Sequence, residues 1–142
     1  MSTLTHNASG LHWTKKCKVG IARLDRQHRD LFNTFNDLNR ALSEGHGGAV
    51  MERVLCRLLD YSRVHFATEE SLMETHNFPG LPTHRIEHQT FLRKIEQYVE
   101  EHKQGKLGAP ASLLLFLQSW LKDHVLKADK TYTAFFSERG VF

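Results

Sequence analysis

The sequence contains little sulfur, little proline and no long apolar run. It has two cysteines and three prolines in 142 residues. Cys17 and Cys56 alone cannot build a disulfide framework or a zinc site of paired cysteines. The longest apolar run, Leu113 to Leu117, is far shorter than the roughly 20 residues of a membrane span, and the N-terminus lacks the apolar stretch of a secretory signal. We therefore expect a cytoplasmic protein without a transmembrane segment.

The chain also lacks a strong charge of one sign. It carries 19 basic and 16 acidic residues, a formal net charge of +3, and no long basic run, so the sequence does not indicate binding to nucleic acid. Hydrophobic residues make up 40% and charged residues 25%, which is typical of one globular domain. We expect a single domain over residues 1–142 and a monomer. The unusual feature is the presence of ten histidines.

Glycine and proline divide the chain into four long segments behind an N-terminal arm. They cluster at residues 45–48, 79–82 and 105–110, and apolar residues recur at steps of three and four between them, which indicates helices with one buried face. Asp25 is a plausible cap for the first helix. Short connections favour antiparallel neighbours. The sequence thus predicts an all-α, up-down-up-down four-helix bundle over about residues 24–138, preceded by an arm over residues 1–22.

Potential metal ligands interrupt the apolar faces of all four predicted helices. A single histidine on such a face is usually a hydrogen-bonded core residue, but spacing changes this interpretation. His65 and Glu69 lie four residues apart, as do His84 and His88, so each pair projects from adjacent turns of one helix face. With His28 and His124 on the other two helices, donors line one interior from every side. Because buried charges must be paired or bound, the pattern predicts a metal site.

The donor types narrow the choice of metal. Imidazoles with few carboxylates and no thiolate suit iron, zinc, copper or nickel. The Glu-x-x-His pairs of ferritin-like di-iron bundles are absent from the sequence. The segment from His84 to His88 does match the inverted zincin pattern, in which Glu87 would be the catalytic base. That alternative leaves the other inward ligands unexplained, and we expect Glu87 to face solvent.

Five sequence blocks, in order, resemble those of the hemerythrins of the bacterial type. They are Trp13 with Val19-Gly20-Ile21; Leu24-Asp25-Arg26-Gln27-His28; His65-Phe66-Ala67-Thr68-Glu69-Glu70 with Leu72-Met73; Phe78-Pro79 with His84 and His88; and Trp120-Leu121-Lys122-Asp123-His124 with Asp129 and Tyr132. The resemblance covers nearly the whole chain. Leu24 departs from the isoleucine common in the family, and no departure touches a ligand position.

The resemblance implies a non-haem centre of two iron ions. One iron would be bound by His84, His88 and His124, and the other by His28 and His65. Glu69 and Asp129 would bridge the two ions together with an oxo or hydroxo group. If both ions are six-coordinate, these ligands fill all positions except one, and the open position belongs to the ion with two histidines. The implied function is reversible dioxygen binding, for storage, transport or delivery to an oxygen-consuming enzyme.

Several apolar residues flank the predicted ligands. Leu31, Phe66, Trp120, Leu121 and Val125 are expected to wall a dry dioxygen pocket, with Leu121 and Val125 as gating residues, although core packing would equally explain them. Because this set offers no acid or base, binding is favoured over catalysis. The alternatives are oxygen or redox sensing through a separate partner, turnover of peroxide or nitric oxide, and zinc peptidase activity.

The spacing of Asp129 predicts an irregular helix. Five steps of about 100° place Asp129 roughly 140° away from His124 on an ideal helix, so we expect a π-type turn between them unless Asp129 is a surface residue. Trp13 is expected to hold the arm against the bundle, and Met73 and Tyr132 to pack in the core, with Tyr132 able to form a hydrogen bond near the site. Five histidines are expected at the surface without a role: His6, His12, His46, His76 and His102.

Overall fold

The computed structural model describes residues 12–106 and 108–142. The helices are α1 (Ala22–Ser43), α2 (Gly47–Thr75), α3 (Leu81–Lys103), α4 (Ala109–Trp120) and the short α5 (Thr133–Ser137). Between α4 and α5 lie a π-helix over Leu121–Ala128 and a 3₁₀ helix over Asp129–Tyr132, and another 3₁₀ helix, Lys15–Cys17, precedes α1. The described residues contain no strand. The predicted all-α four-helix bundle is confirmed.

The helices pack in chain order and then close the bundle. α1 packs on α2, α2 packs on α3, and α4 contacts each of the other three long helices. The connections are short, so consecutive helices run in opposite directions. Pro82 and Pro110 stand in the first turns of α3 and α4, where a missing N–H group costs no intrahelical hydrogen bond.

The start of α1 differs from the prediction. The helix begins at Ala22, and Asp25 lies in its first turn instead of capping it. The Asp25 carboxylate accepts hydrogen bonds from the backbone N–H groups of Val19 (2.7 Å) and Gly20 (3.3 Å). Gly20 has a φ of 91°, a conformation that favours glycine. Asp25 therefore stabilises the turn that leads into the helix.

The described part of the arm packs against the bundle. The Trp13 ring meets the Phe32 ring edge-on, with centroids 5.0 Å apart, and Cys17, Val19 and Ile21 are buried. The expectation that Trp13 holds the arm in place agrees with this contact. His6 lies outside the described residues.

Two apolar clusters leave a polar layer between them. The larger contains Leu31 of α1, Tyr61 of α2, Phe91 of α3 and Trp120 of α4. The smaller contains Leu24 of α1, Met73 of α2, Leu81 of α3 and Tyr132 of the 3₁₀ helix before α5. The buried histidines and carboxylates lie between these positions along each helix, so apolar packing encloses them from both ends.

No helix in the described part of the chain is both long enough and apolar enough to cross a membrane.

Candidate metal centre

The structure brings all of the predicted ligand side chains into one buried layer. Each is at most 3% exposed, although burial of ionisable groups is unfavourable without partners. The residues are His28 on α1, His65 and Glu69 on α2, His84 and His88 on α3, His124 in the π-helix and Asp129 at the start of the following 3₁₀ helix.

The donor atoms form two groups that share both carboxylates. One ligand atom from each of His28, His65, Glu69 and Asp129 lies within 4.8 Å of the others. The second group, with the same limit, contains Glu69, His84, His124 and Asp129. His88 adjoins the second group, because its Nε2 lies 2.9 Å from Glu69 Oε1. Two groups joined by two carboxylates provide two adjacent positions for metal ions.

Each carboxylate presents one oxygen to each group. Glu69 Oε2 lies 3.1 Å from His65 Nε2, whereas its Oε1 faces His88. Asp129 Oδ2 lies 3.0 Å from His28 Nε2, whereas its Oδ1 lies 3.0 Å from His84 Nε2 and 3.1 Å from His124 Nε2. A carboxylate oriented in this way can bridge two cations.

Several buried donor atoms have no hydrogen-bond partner among the described residues. They are Nε2 of His28, His65 and His124, Nδ1 of His28, and Oδ2 of Asp129. The three Nε2 atoms lie close to carboxylate oxygens without hydrogen-bonding geometry. Because an unsatisfied buried polar atom costs about 1–3 kcal/mol, the inward-facing atoms fit a site that metal ions complete. The residues present therefore fit a two-metal centre.

The helix geometry brings Asp129 onto the same face as His124. The chain leaves the α-helical path at Leu121, forms the π-helix to Ala128 and then tightens into the 3₁₀ helix that begins at Asp129. A π-helix adds a residue to each turn, which compensates for a spacing of five. The predicted π-type turn between His124 and Asp129 is confirmed.

Three polar residues outside the donor layer bind the outer nitrogens of the histidines. Gln27 Oε1 lies 2.7 Å from His65 Nδ1. Two carboxylates do the same on the other side, with Glu70 Oε2 2.8 Å from His88 Nδ1 and Glu87 Oε2 3.0 Å from His124 Nδ1. Such contacts set the ring orientation and direct Nε2 inward. The role of Gln27 was not predicted, because no spacing in the sequence distinguishes it from other residues beside a ligand.

The prediction that Glu87 faces solvent holds only in part. Its side chain is 39% exposed, but its carboxylate contacts the outer nitrogen of His124, because α3 turns this residue toward the π-helix. The inverted zincin pattern requires its glutamate to be a free base beside the two histidines. Glu87 instead contacts the ring of His124. Glu70, which follows the ligand Glu69 in sequence and lies about 100° from it on α2, contacts His88 on α3.

Tyr132 links the donor layer to the smaller apolar cluster. Its hydroxyl group donates a 2.9 Å hydrogen bond to Glu69 Oε2, and the side chain is fully buried. Met73 packs in the same cluster. The hydrogen bond anchors the Glu69 oxygen that faces His65.

The predicted pocket residues are all buried but do not lie on one side of the centre. Phe66 stacks on His88 and Trp120 stacks on His124, each with ring centroids 3.9 Å apart. These two aromatic rings therefore cover the group with three histidines. Leu31, Leu121 and Val125 are each at most 1% exposed, and their role as pocket or gating residues stays a prediction.

A groove between α1 and α2 reaches the group with two histidines. Its volume is about 410 Å³, and its lining includes Leu31, Thr34, Tyr61, Val64 and His65. The Tyr61 ring stacks on the His65 ring, with centroids 4.9 Å apart. Tyr61 lies four residues before His65, one helical turn away on the same face of α2, and this spacing is the signal in the sequence that could have placed it at the site.

The larger apolar cluster, next to the donor layer, contains two buried polar groups. The hydroxyl group of Tyr61 and the indole N–H of Trp120 are buried without a hydrogen-bond partner among the described residues. Burial and the nearby Asp129 and Glu69 carboxylates raise the pKa of Tyr61 well above its usual value. Tyr61 therefore stays a neutral phenol, able to donate one hydrogen bond.

The carboxylates stay ionised despite their burial. Burial and Asp129 raise the pKa of Glu69, but His65 and His88 outweigh both and lower it to about 2. Burial also opposes ionisation of Asp129, yet the charge of His124 and the close contacts of the His124, His28 and His84 rings hold its pKa well below the usual value. Both carboxylates are therefore available as anionic ligands at neutral pH.

The pKa values of the histidines in the donor layer shift in different directions. Burial lowers the pKa of each, but the adjacent Asp129 carboxylate reverses this for His28 and His84, and the adjacent Glu69 carboxylate reverses it for His88, so all three pKa values are raised. For His65, burial outweighs the attraction of Glu69 and the pKa is lowered.

The remaining described histidines lie outside the donor layer. His12 and His46 are exposed, and His76 and His102 are partly buried. His76 contacts the Phe136 ring edge-on.

Comparison with known proteins agrees with this geometry. Residues 19–136 match the hemerythrin HHE cation binding domain. The chain is 31% identical to the bacteriohemerythrin of Stenotrophomonas maltophilia, over 86% of this chain and 78% of that protein. It is 27% identical to the bacteriohemerythrin of Clostridium acetobutylicum, over 84% and 96% of the two chains, and 31% identical to that of Aquifex aeolicus, over 80% and 88%. A match over most of the chain, with a buried cluster of histidines and carboxylates suited to metal ions, shows that the protein belongs to the hemerythrin family.

Proposed function

We propose that the protein binds dioxygen reversibly at two non-haem iron ions, for storage, transport or delivery to an oxygen-consuming enzyme. The observation that carries the proposal is the orientation of Glu69 and Asp129, each of which presents one oxygen to each group of histidines. A single metal ion would leave one oxygen of each carboxylate and one of the two groups of histidines unused. The family and the names of its bacterial relatives support iron as the metal.

The residues divide into two ligand sets. His84, His88 and His124 would hold one ion, His28 and His65 would hold the other, and Glu69 and Asp129 would bind both. Because His28 and His65 form the smaller set, the ion that they would hold would be the one able to take up dioxygen. When bound, the two iron ions supply the two electrons that dioxygen takes up reversibly.

The surrounding residues favour binding over further reaction. The donor layer is closed to solvent, with His28, His65, Glu69 and Asp129 at 0% exposure, and exclusion of water limits side reactions. The buried carboxylates are already held by histidines, so no free acid or base lies among them. Tyr61 stays neutral and can donate a hydrogen bond without transferring its proton.

Metal analysis and gas exchange test this function directly. The metal-free protein loaded with ferrous iron under anaerobic conditions should bind two ions per chain. On exposure to air it should gain a visible absorption band that disappears when dioxygen is removed, over repeated cycles. The same protein loaded with zinc is the control and should show no change. Binding of one iron per chain, or a colour change that deoxygenation does not reverse, would contradict the proposal.

The groove between α1 and α2 provides a second test. Val64 is 59% exposed and lines the groove, whereas Ile86 is 63% exposed on α3 and does not. Val64→Trp should narrow the groove and slow both uptake and release of dioxygen severalfold, with the equilibrium affinity unchanged, because an obstruction on the route affects both directions equally. Ile86→Trp is the matched control.

Stopped-flow uptake and release rates separate this effect from a change at the site itself. If Val64→Trp alters only one of the two rates, or if both variants behave like the unmodified protein, the groove is not the route to the centre.

A further inference from the structure

The groups that contact the outer nitrogens of the histidines differ in charge between the two sides of the centre. On the side with three histidines, His88 Nδ1 and His124 Nδ1 each contact a carboxylate, at 2.8 Å from Glu70 and 3.0 Å from Glu87. On the other side, His65 Nδ1 contacts the neutral amide oxygen of Gln27 at 2.7 Å, and His28 Nδ1 has no partner among the described residues. The outer charge is therefore confined to one side.

The two carboxylates are not equivalent. Glu70 also accepts a hydrogen bond from Arg85, at 3.2 Å, so part of its charge is compensated. Glu87 forms no ion pair with lysine or arginine within the described ranges, and its contact is with His124. Of the two, Glu87 therefore acts on its histidine with less compensation.

A carboxylate on the outer nitrogen changes what an imidazole offers to a metal ion. It draws the Nδ1 proton toward itself, which increases the electron density on Nε2 and strengthens Nε2 as a ligand. A neutral amide holds the ring in place but does this less strongly, because it carries no full charge. Two imidazoles strengthened in this way, in a set that already has the larger number of histidines, should make the two metal positions unequal.

We propose that Glu87, and to a smaller degree Glu70, are positioning residues that make the position of His84, His88 and His124 the tighter of the two. The first metal ion then loads at this position, and the position of His28 and His65 fills second. The inference rests on the two-metal centre of the proposed function, but it does not depend on dioxygen binding.

Titration of the metal-free protein with cobalt(II), in competition with a chelator, tests the order and the cause of loading. The unmodified chain should bind two ions in two resolved steps. Glu87→Gln keeps a hydrogen-bond acceptor but removes the charge, so it should weaken the first step about tenfold, within the usual range for such outer contacts. Glu70→Gln should weaken that step less. Glu96→Gln, at an exposed site on the same helix, is the control and should have no effect.

A converse variant and two ligand variants assign the steps to positions. Gln27→Glu adds a charge on the outer nitrogen of His65 and should strengthen the second step. His28→Ala should abolish the second step and keep the first, whereas His88→Ala should weaken the first. Circular dichroism of each metal-free variant checks that the bundle is folded.

The outcomes separate this inference from the proposed function. Two steps that Glu87→Gln leaves unchanged, or a first step lost in His28→Ala, would overturn the order of loading and leave the two-metal centre in place. Binding of only one ion by the unmodified chain would contradict the two-metal centre itself.

Discussion

Replacing His124 by alanine should remove metal from the centre and lower the stability of the loaded protein. His124 is 3% exposed, and its Nε2 lies 3.1 Å from Asp129 Oδ1, the oxygen that also faces His84. The substitution removes one of the predicted ligands and opens a cavity beside Trp120, whose ring stacks on the His124 ring. Because metal binds only the folded chain, the loaded protein should lose most of the stabilisation that metal gives, about 4 kcal/mol at a thousandfold excess over Kd.

Iron content and thermal unfolding, each measured with and without metal, check this prediction. His102→Ala is the matched control, because His102 is a partly buried histidine on α3 outside the donor layer. It should retain the full iron content and the full shift in Tm on loading. Equal losses in the two variants would show that the donor layer is not the metal centre.

The metal-free and the loaded protein should respond to pH in opposite directions near neutrality. The pKa values of His28, His84 and His88 are raised in the folded state, because contacts with the Asp129 and Glu69 carboxylates outweigh burial. Their protonated forms therefore stabilise the metal-free fold below about pH 6.5, and this contribution is lost as the pH rises through the raised values. The lowered pKa of His65 opposes this effect, but one histidine acts against three.

The carboxylates set the acidic limit of the metal-free fold. The pKa of Glu69 is lowered to about 2, and that of Asp129 is lowered as well. Their contribution is present above the unfolded-state values near 4 and is lost as the pH falls through the folded-state values. The metal-free protein should therefore be most stable between roughly pH 4.5 and 6.5.

Loading with metal reverses the slope on the alkaline side. A metal ion must displace the proton from each histidine that it binds. The affinity for metal should therefore fall about tenfold for each unit by which the pH is lowered, for every proton displaced. Loaded protein should release its metal on acidification through the raised histidine pKa values and should gain stability from pH 6 to 8. Chemical denaturation of both forms across this range measures the two slopes. Slopes of the same sign would show that the layer's histidines do not bind the metal.

The helices and the histidine and Glu69 ligand candidates could be predicted from the sequence, because both follow local periodicity. His65 with Glu69, and His84 with His88, are separated by one helical turn, and this spacing holds in whatever bundle the helices form. The irregular segment before Asp129 was predictable only because the family resemblance implies that Asp129 is a ligand, and a spacing of five from His124 does not fit an α-helical face.

The contacts between helices could not be read from spacing. Glu87 contacts His124 across two elements, and Gln27 contacts His65 from α1 to α2. A side chain next to a ligand in sequence points about 100° away from it on the helix, so its partner depends on which helix lies there. The helix start at Ala22, before Asp25, was likewise decided by a contact between the carboxylate and the preceding turn.

The sequence by itself thus determined the class of fold and the inward-facing histidines with Glu69, because these features depend on helical period, which is a property of the chain alone. The assignment of Asp129 came from the family resemblance, and its spacing from His124 then predicted the irregular segment. Only the tertiary structure decided which oxygen of Glu69 and Asp129 faces which group, where the outer charges of Glu70 and Glu87 lie, and that Tyr61 lines a groove to His65. Those features depend on how neighbouring helices are rotated and spaced, which is set by the packing of the whole core.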